Sequence, residues 1–349
     1  MRTALLSLAT AVPPNVLVQR EVAALARLVL EKEYADFDKV AHVFDTSGVI
    51  RRHAARPLEW YAFPHGWPDR TEVYLETAGR LFEAAAEEAL ARAEIEGDDV
   101  DIVVTASSTG IATPSLDAIL AGRLGFRDDI ARVPIFGLGC AAGVSGLSIA
   151  ARLAAGSPGA TVLFVTVELC TLAVRPDKLN AANVVSTALF ADGAAAIVLR
   201  AGEEEGFATV AGAGEHLWPD TLDIMGWDVD PEGFGVVLSR SLPLFVEAEA
   251  GPAMAALLDR LGIDRSSIDR FVCHPGGPKV ITALEQVLHL DQGSLDHERE
   301  VLADYGNMSA PTVLFVLDRV LKSKFAQRLM LVAMGPGFTL SGLVLDRLA

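Results

Sequence analysis

The 349-residue chain has only three cysteines, Cys140, Cys170 and Cys273. They form neither an even disulfide framework nor a Cys-x-x-Cys metal pattern, so they read as reduced thiols of a cytoplasmic protein. Basic residues are also scarce. Against 46 Asp and Glu stand 29 Lys and Arg, a formal net charge of −17. Such a balance argues against nucleic acid as a partner, because phosphate binding needs a basic surface. No apolar run reaches the length of a bilayer span, so no membrane span is expected. Walker and Rossmann glycine loops are missing, which leaves no nucleotide cofactor implied. The tract His297-Glu-Arg-Glu lacks a spaced second histidine, and no metal site is expected. The apolar start, Met1 to Pro14, reads as a first β-strand ending at Pro13-Pro14 rather than as a signal peptide.

What the chain has in abundance is hydrophobic residues, 51% of the total, and a repeat. A helix ending near Leu90 precedes the strand Asp101-Ile-Val-Val-Thr-Ala. A second helix ending near Leu258 precedes the strand Asp269-Arg-Phe-Val-Cys-His. Ala106 then lies 34 positions before Cys140, and His274 lies 33 before Asn307. Leu163 and Met330, in two further apolar strands, each follow by 23. Three matched landmarks in order imply two related halves, 1–205 and 206–349, joined around 199–211. Continuous apolar strands alternating with helices give an α/β class with sheets covered on both faces. A pseudo-twofold relation between the halves would bring the loops of Cys140, His274 and Asn307 to one centre.

Those three residues carry chemistry. Cys140 sits among glycines between a strand and a helix, where the positive helix N-terminus favours a thiolate. A nearby imidazole would pair with that thiolate, and with an Asn amide it would offer two donors to an oxyanion. The set suits acyl transfer through a covalent thioester and decarboxylation of a malonyl thioester. The bland alternatives are a packed core cysteine, a satisfied loop histidine and an Asn that only caps a helix. Cys273 reads as a strand residue facing the core.

At these positions the chain resembles the type III polyketide synthases, the chalcone-synthase-like branch of the thiolase superfamily. The resemblance spans nearly the whole sequence. It rests on Gly139-Cys140-Ala-Ala-Gly, Ala188-Leu-Phe-Ala-Asp-Gly, His274-Pro-Gly-Gly-Pro, Tyr305-Gly-Asn-Met-Ser and Gly335-Pro-Gly-Phe-Thr. Ketoacyl synthases III share the trio but typically follow the histidine with Gln-Ala-Asn, not Pro-Gly-Gly. The resemblance implies a thiolase-like layered fold (αβαβα) from two duplicated halves. It implies Cys140 as nucleophile, with His274 and Asn307 as the decarboxylation and oxyanion pair. The substrates it implies are acyl-CoA and malonyl-CoA, with no cofactor.

It further implies Phe190 as a gatekeeper, with Ser309 and the loop Gly335, Pro336, Gly337 and Phe338 beside the cavity. Val236 stands where plant enzymes carry a second gatekeeper phenylalanine. Ala173, or the adjacent Leu172, stands for a cavity threonine. Thr113 matches a residue that reaches across a homodimer boundary. Lys39, Arg51 and Arg52, near His42 and Arg56, are the CoA-contact candidates. Glu168-Leu-Cys-Thr-Leu and Met225-Gly-Trp-Asp-Val resemble bacterial alkylpyrone and alkylresorcinol synthases, implying a medium- or long-chain fatty acyl starter. Aromatic starters, a ketoacyl-synthase-III-like condensation and a catalytically dead dimer subunit are the alternatives.

Overall fold

The computed structural model describes residues 2–202, 205–323 and 326–348. Its strands in chain order are β1 (Thr3–Ala11), β2 (Asn15–Val18), β3 (Arg51–Ala54), β4 (Ile102–Ala106), β5 (Ala131–Ile135), β6 (Thr161–Leu169) and β7 (Asp192–Ala201). After these come β8 (Ala208–Leu217), β9 (Met225–Asp230), β10 (Gly233–Leu238), β11 (Arg270–Cys273), β12 (Arg328–Gly335) and β13 (Thr339–Arg347). Nine of them hydrogen-bond in the order β11-β12-β13-β8-β1-β7-β6-β4-β5.

The repeat is visible in that order. β4 runs parallel to β6, and β11 runs parallel to β12. β6 then pairs antiparallel with β7 and β7 with β1, while β12 pairs antiparallel with β13 and β13 with β8. Read outward from the β1/β8 junction, the two sides follow one pattern. The junction itself is slight, with only Ala4↔Thr209 and Leu5↔Ala208 in register. Glu203 and Glu204, inside the stretch where the sequence joins its halves, lie outside the described residues.

Two apolar helices, Ala142–Gly156 and Pro311–Lys322, pack on each other and on strands of both sides, forming the central layer. Their approach is close. A Cβ on Gly143 would stand 2.2 Å from the Ala310 carbonyl oxygen, so only glycine fits there. On the outer faces, Trp67–Arg92 covers β1, β6 and β7, and Leu242–Leu261 covers β8 and β13. The result is the thiolase-like αβαβα stack. The segment Gly139–Gly156 has a mean hydropathy of 1.2 over 18 residues, enough to pass for a membrane span. That apolarity comes from its place between the two sides of the nine-stranded sheet, where 61% of it is buried. The apolar N-terminal run is β1, buried between β7 and β8.

Candidate active site

β5 ends at Ile135 and a short turn, Gly139–Ala141, leads into the central helix Ala142–Gly156. Cys140 lies in that turn. Gly139 has φ +47° and its missing Cβ leaves room for Pro336, since a Cβ there would fall 2.6 Å from the proline ring. Gly335 presses equally hard, 2.4 Å from the Leu138 oxygen by the same measure. These two glycines dock the Gly335–Phe338 loop onto the nucleophile turn.

His274 follows β11, its N–H donating to the Val332 oxygen at 2.8 Å. It is 6% exposed, and neither ring nitrogen has a hydrogen-bond partner among the described residues. A buried polar ring without partners is costly, so this one is poised for something that enters the cavity. Asn307 follows Gly306, which has φ +71°. The Asn307 N–H donates to Leu189 O at 2.8 Å, and Asn307 O accepts from Ala191 N–H at 2.9 Å. Its Oδ1 accepts from Ser309 N–H at 2.8 Å and its Nδ2 donates to Gly276 O at 3.2 Å. One Nδ2 proton stays free to face the cavity. Asn307 caps no helix, because the next helix begins at Pro311.

Cys140, His274 and Asn307 line one cavity of about 950 Å³. Phe190, Val236, Ser309, Pro336 and Phe338 line it too. Gly335 and Gly337 do not, and serve by docking and turning the loop. Thr113 is exposed and lies off the lining, before a cis Pro114. Cys273 is fully buried in the core.

Three expectations need correcting. Ala173 and Leu172 are buried but off the cavity. Residues 170–173 coil into a 3₁₀ turn, which brings Cys170 to the wall instead. Arg52 is 1% exposed and hydrogen-bonds backbone carbonyls, so it contacts no CoA. Arg51 is exposed but pairs with Asp304 at 3.3 Å, away from the lining. Of the three CoA candidates only Lys39 reaches the rim, where it pairs with Asp36 at 2.5 Å. His42, Arg240 and Lys279 share that rim. Isolated cations on separate elements carried no pattern in the sequence, so Arg240 and Lys279 were missed.

Glu168 was missed as well. It is the penultimate residue of the fully buried strand β6, and an acid in such a run is the signal that was available. Its carboxyl accepts from Ser108 N–H at 3.0 Å and Thr109 Oγ1–H at 2.7 Å. Burial pushes its pKa up to about 8, which favours the uncharged acid on the cavity wall. Burial also pushes the Cys140 thiol up to about 11, with a Ser309 hydrogen bond lowering it in part. His274 is pushed down to about 4 by burial. Desolvation of both groups thus works against the thiolate that the helix terminus favours, and toward the neutral thiol and imidazole. Moving the proton from Sγ to imidazole creates both charges together, and in a cavity of low dielectric their attraction offsets the cost.

Residues 2–203 match the family model described as the N-terminal domain of chalcone and stilbene synthases, and residues 210–349 match that of the C-terminal domain. The 1,3,6,8-tetrahydroxynaphthalene synthase of Streptomyces peucetius is 37% identical, over 96% of this chain and 91% of that protein. An α-pyrone synthesis polyketide synthase-like protein, Pks18, of Mycobacterium tuberculosis is 30% identical, over 97% of this chain and 90% of that protein. Among solved structures, the tetrahydroxynaphthalene synthase of Streptomyces coelicolor A3(2), described as a bacterial type III polyketide synthase, superposes with a TM-score of 0.93. The identity there is 30%, covering 99% of each chain.

Proposed function

The chain belongs to the chalcone and stilbene synthase family and is a type III polyketide synthase, and from that premise we propose that it loads a medium- or long-chain acyl-CoA starter on Cys140 and extends it with malonyl-CoA. The observation that carries the starter class is the aliphatic wall of the cavity that holds the cysteine, with Val185, Leu189, Val236, Leu238, Val280 and Leu284 on it. Burying an alkyl chain there gains about 0.8 kcal/mol per methylene.

In this reading Sγ of Cys140 attacks the acyl-CoA carbonyl while His274 takes its proton, and CoA departs as the thiol. Malonyl-CoA then loses carbon dioxide. The enolate oxygen left behind accepts hydrogen bonds from His274 and from the free Nδ2 proton of Asn307. Its carbon attacks the Cys140 thioester, the C–C bond forms and Sγ leaves. A neutral Glu168 keeps the cavity free of a charge that would repel the enolate. The lengthened chain then closes to an alkylpyrone or alkylresorcinol. Such an acyltransferase draws on CoA thioesters and so works in the cytoplasm.

The test is product identification with malonyl-CoA and starters of graded length. Efficient use of aromatic CoA esters alone would sink the proposal. A second reading has its own support: tetrahydroxynaphthalene carries no alkyl chain, and Trp227 fills part of the cavity, 6.5 Å from the Phe190 ring. Product from malonyl-CoA without any starter would favour it. Val236 faces Trp227 across the β9/β10 pair, so Val236→Phe adds a ring where the passage is already narrowed. We expect it to lower kcat/KM for the longest starters by about tenfold and to spare short ones.

CoA phosphates need positive charge on this acidic protein, and the rim supplies Lys39, Arg240 and Lys279. Reversing either of the latter, as Arg240→Glu or Lys279→Glu, should raise KM for acyl-CoA about tenfold, the value of one charge-assisted hydrogen bond. An unchanged KM in both would remove them from the contact set. The chain is also proposed to act as a homodimer. β5 is an open edge strand, and Ile111 and Phe136 beside it are 54% and 58% exposed while lining the cavity. A second copy over this edge would close the site near Thr113. Light scattering that finds a monomer at assay concentration would refute it.

A further inference from the structure

The four carbonyls from Thr187 to Phe190 end the helix Ala181–Leu189, where intrahelical partners run out. All four are taken. Nη1 of Arg52 donates to Thr187 O at 2.7 Å and to Phe190 O at 3.1 Å. Nη2 donates to Ala188 O at 2.8 Å and to Oε1 of Gln19. Leu189 O, the one Arg52 leaves, accepts from the Asn307 N–H. Gly306 is wedged into the same contact, since a Cβ there would sit 2.9 Å from Leu189 O and 3.3 Å from Arg52 Cβ.

Arg52 is a buried cation with no carboxylate at ion-pair distance among the described residues. Its bonds go to the ends of peptide dipoles at a helix C-terminus, which favour positive charge. Asp192 attracts it only from beyond contact, so its burial is expensive, and what it secures here is geometry: a planar fork holds several carbonyls at fixed angles where a point charge cannot. The chain it fixes carries the Phe190 ring on one side and receives the Asn307 backbone on the other. Phe190↔Asn307 form an isolated parallel bridge, so neither segment moves without the other.

We propose that Arg52 is a positioning residue that sets the Phe190 gate and the Asn307 amide as a single unit. The proposal rests on the polyketide synthase reading for its kinetics, though not for its geometry. Loss of the fork should then harm the step that uses Asn307 more than the loading of Cys140.

The test compares Arg52→Lys with wild type in the full chain. Expected is a fall of about 10- to 100-fold in malonyl-CoA-dependent condensation, the range for a misplaced catalytic group. Single-turnover acylation of Cys140, read by intact mass, should stay within about twofold. Starter preference should broaden as the gate loosens. Equal losses in acylation and condensation, or no loss in either, would overturn the proposal. Should Arg52→Lys fail to fold, Gln19→Met removes the acceptor that steadies the guanidinium, together with the Nε2 bonds to Phe44 O, Ser47 Oγ and Ala188 O, and must show the same split in weaker form; its absence overturns the idea. A crystal structure of either variant with the Phe190 ring and Asn307 amide unmoved would also overturn it, whatever the enzyme's product. Wild type that makes no polyketide from any starter sinks the functional reading instead.

Discussion

Cys140→Ala should abolish polyketide formation, with a loss of at least about 10⁴-fold, the scale seen when a covalent nucleophile is removed. Intact mass should show acyl adducts on wild type and none on the variant. The reasoning is local. Cys140 is the half-buried thiol at the cavity wall, whereas Cys170 and Cys273 are fully buried with thiol pKa values pushed far up. Cys170 also lines the cavity, but it lies in a separate turn from the central-helix start. Malonyl-CoA decarboxylation should persist in the variant, because the two oxyanion donors proposed for it sit on His274 and Asn307. Burial raises the pKa of this thiol, so wild-type alkylation by iodoacetamide should climb steadily as pH rises through the alkaline range. His274→Gln should push that profile to still higher pH, since it removes the base proposed to take the proton. An Ala variant that keeps even about 1% of wild-type product would rule out Cys140 as the carrier.

How far the sequence revealed this site follows from what kind of information each part needs. Cys140, His274 and Asn307 stood out because each is chemically distinctive and each occupies a matched loop of the repeat. The sheet order then reproduced the repeat, with β4 and β6 answered by β11 and β12. Arg52 failed for the opposite reason. A lone arginine on a short strand reads as surface, and only the helix end folded against it supplies the acceptors that bury it. Ala173 failed by register: β6 points its residues alternately until Leu169, and the 3₁₀ turn that follows resets which side chain faces inward. Val236 was placed by a motif, but its partner Trp227 came from the β9/β10 pairing and not from any local pattern.

Asn307→Asp isolates the oxyanion contribution with almost no change of shape. The carboxylate can keep accepting from Ser309 N–H through one oxygen, and the backbone bonds to Leu189 and Ala191 do not involve the side chain. Two things change. The donor aimed at the enolate is lost, and an acceptor now meets Gly276 O where Nδ2 had donated. If the acid ionises, its charge also stands beside a developing anion in a site that excludes water. Removing one oxyanion donor alone costs about 10²- to 10³-fold. We expect condensation to fall at least that far, with Cys140 acylation falling less because His274 remains. The thermal midpoint should fall as well, since a carboxylate facing the Gly276 carbonyl is destabilising, and lowering the pH should recover part of it. The sign is fixed by linkage. Burial and the adjacent acceptor hold the folded-state pKa of the new acid above its unfolded value, so the protonated form stabilises below the unfolded pKa and that gain is lost as pH rises through the folded one. Condensation that survives Asn307→Asp within about threefold would place the second oxyanion donor elsewhere in the cavity.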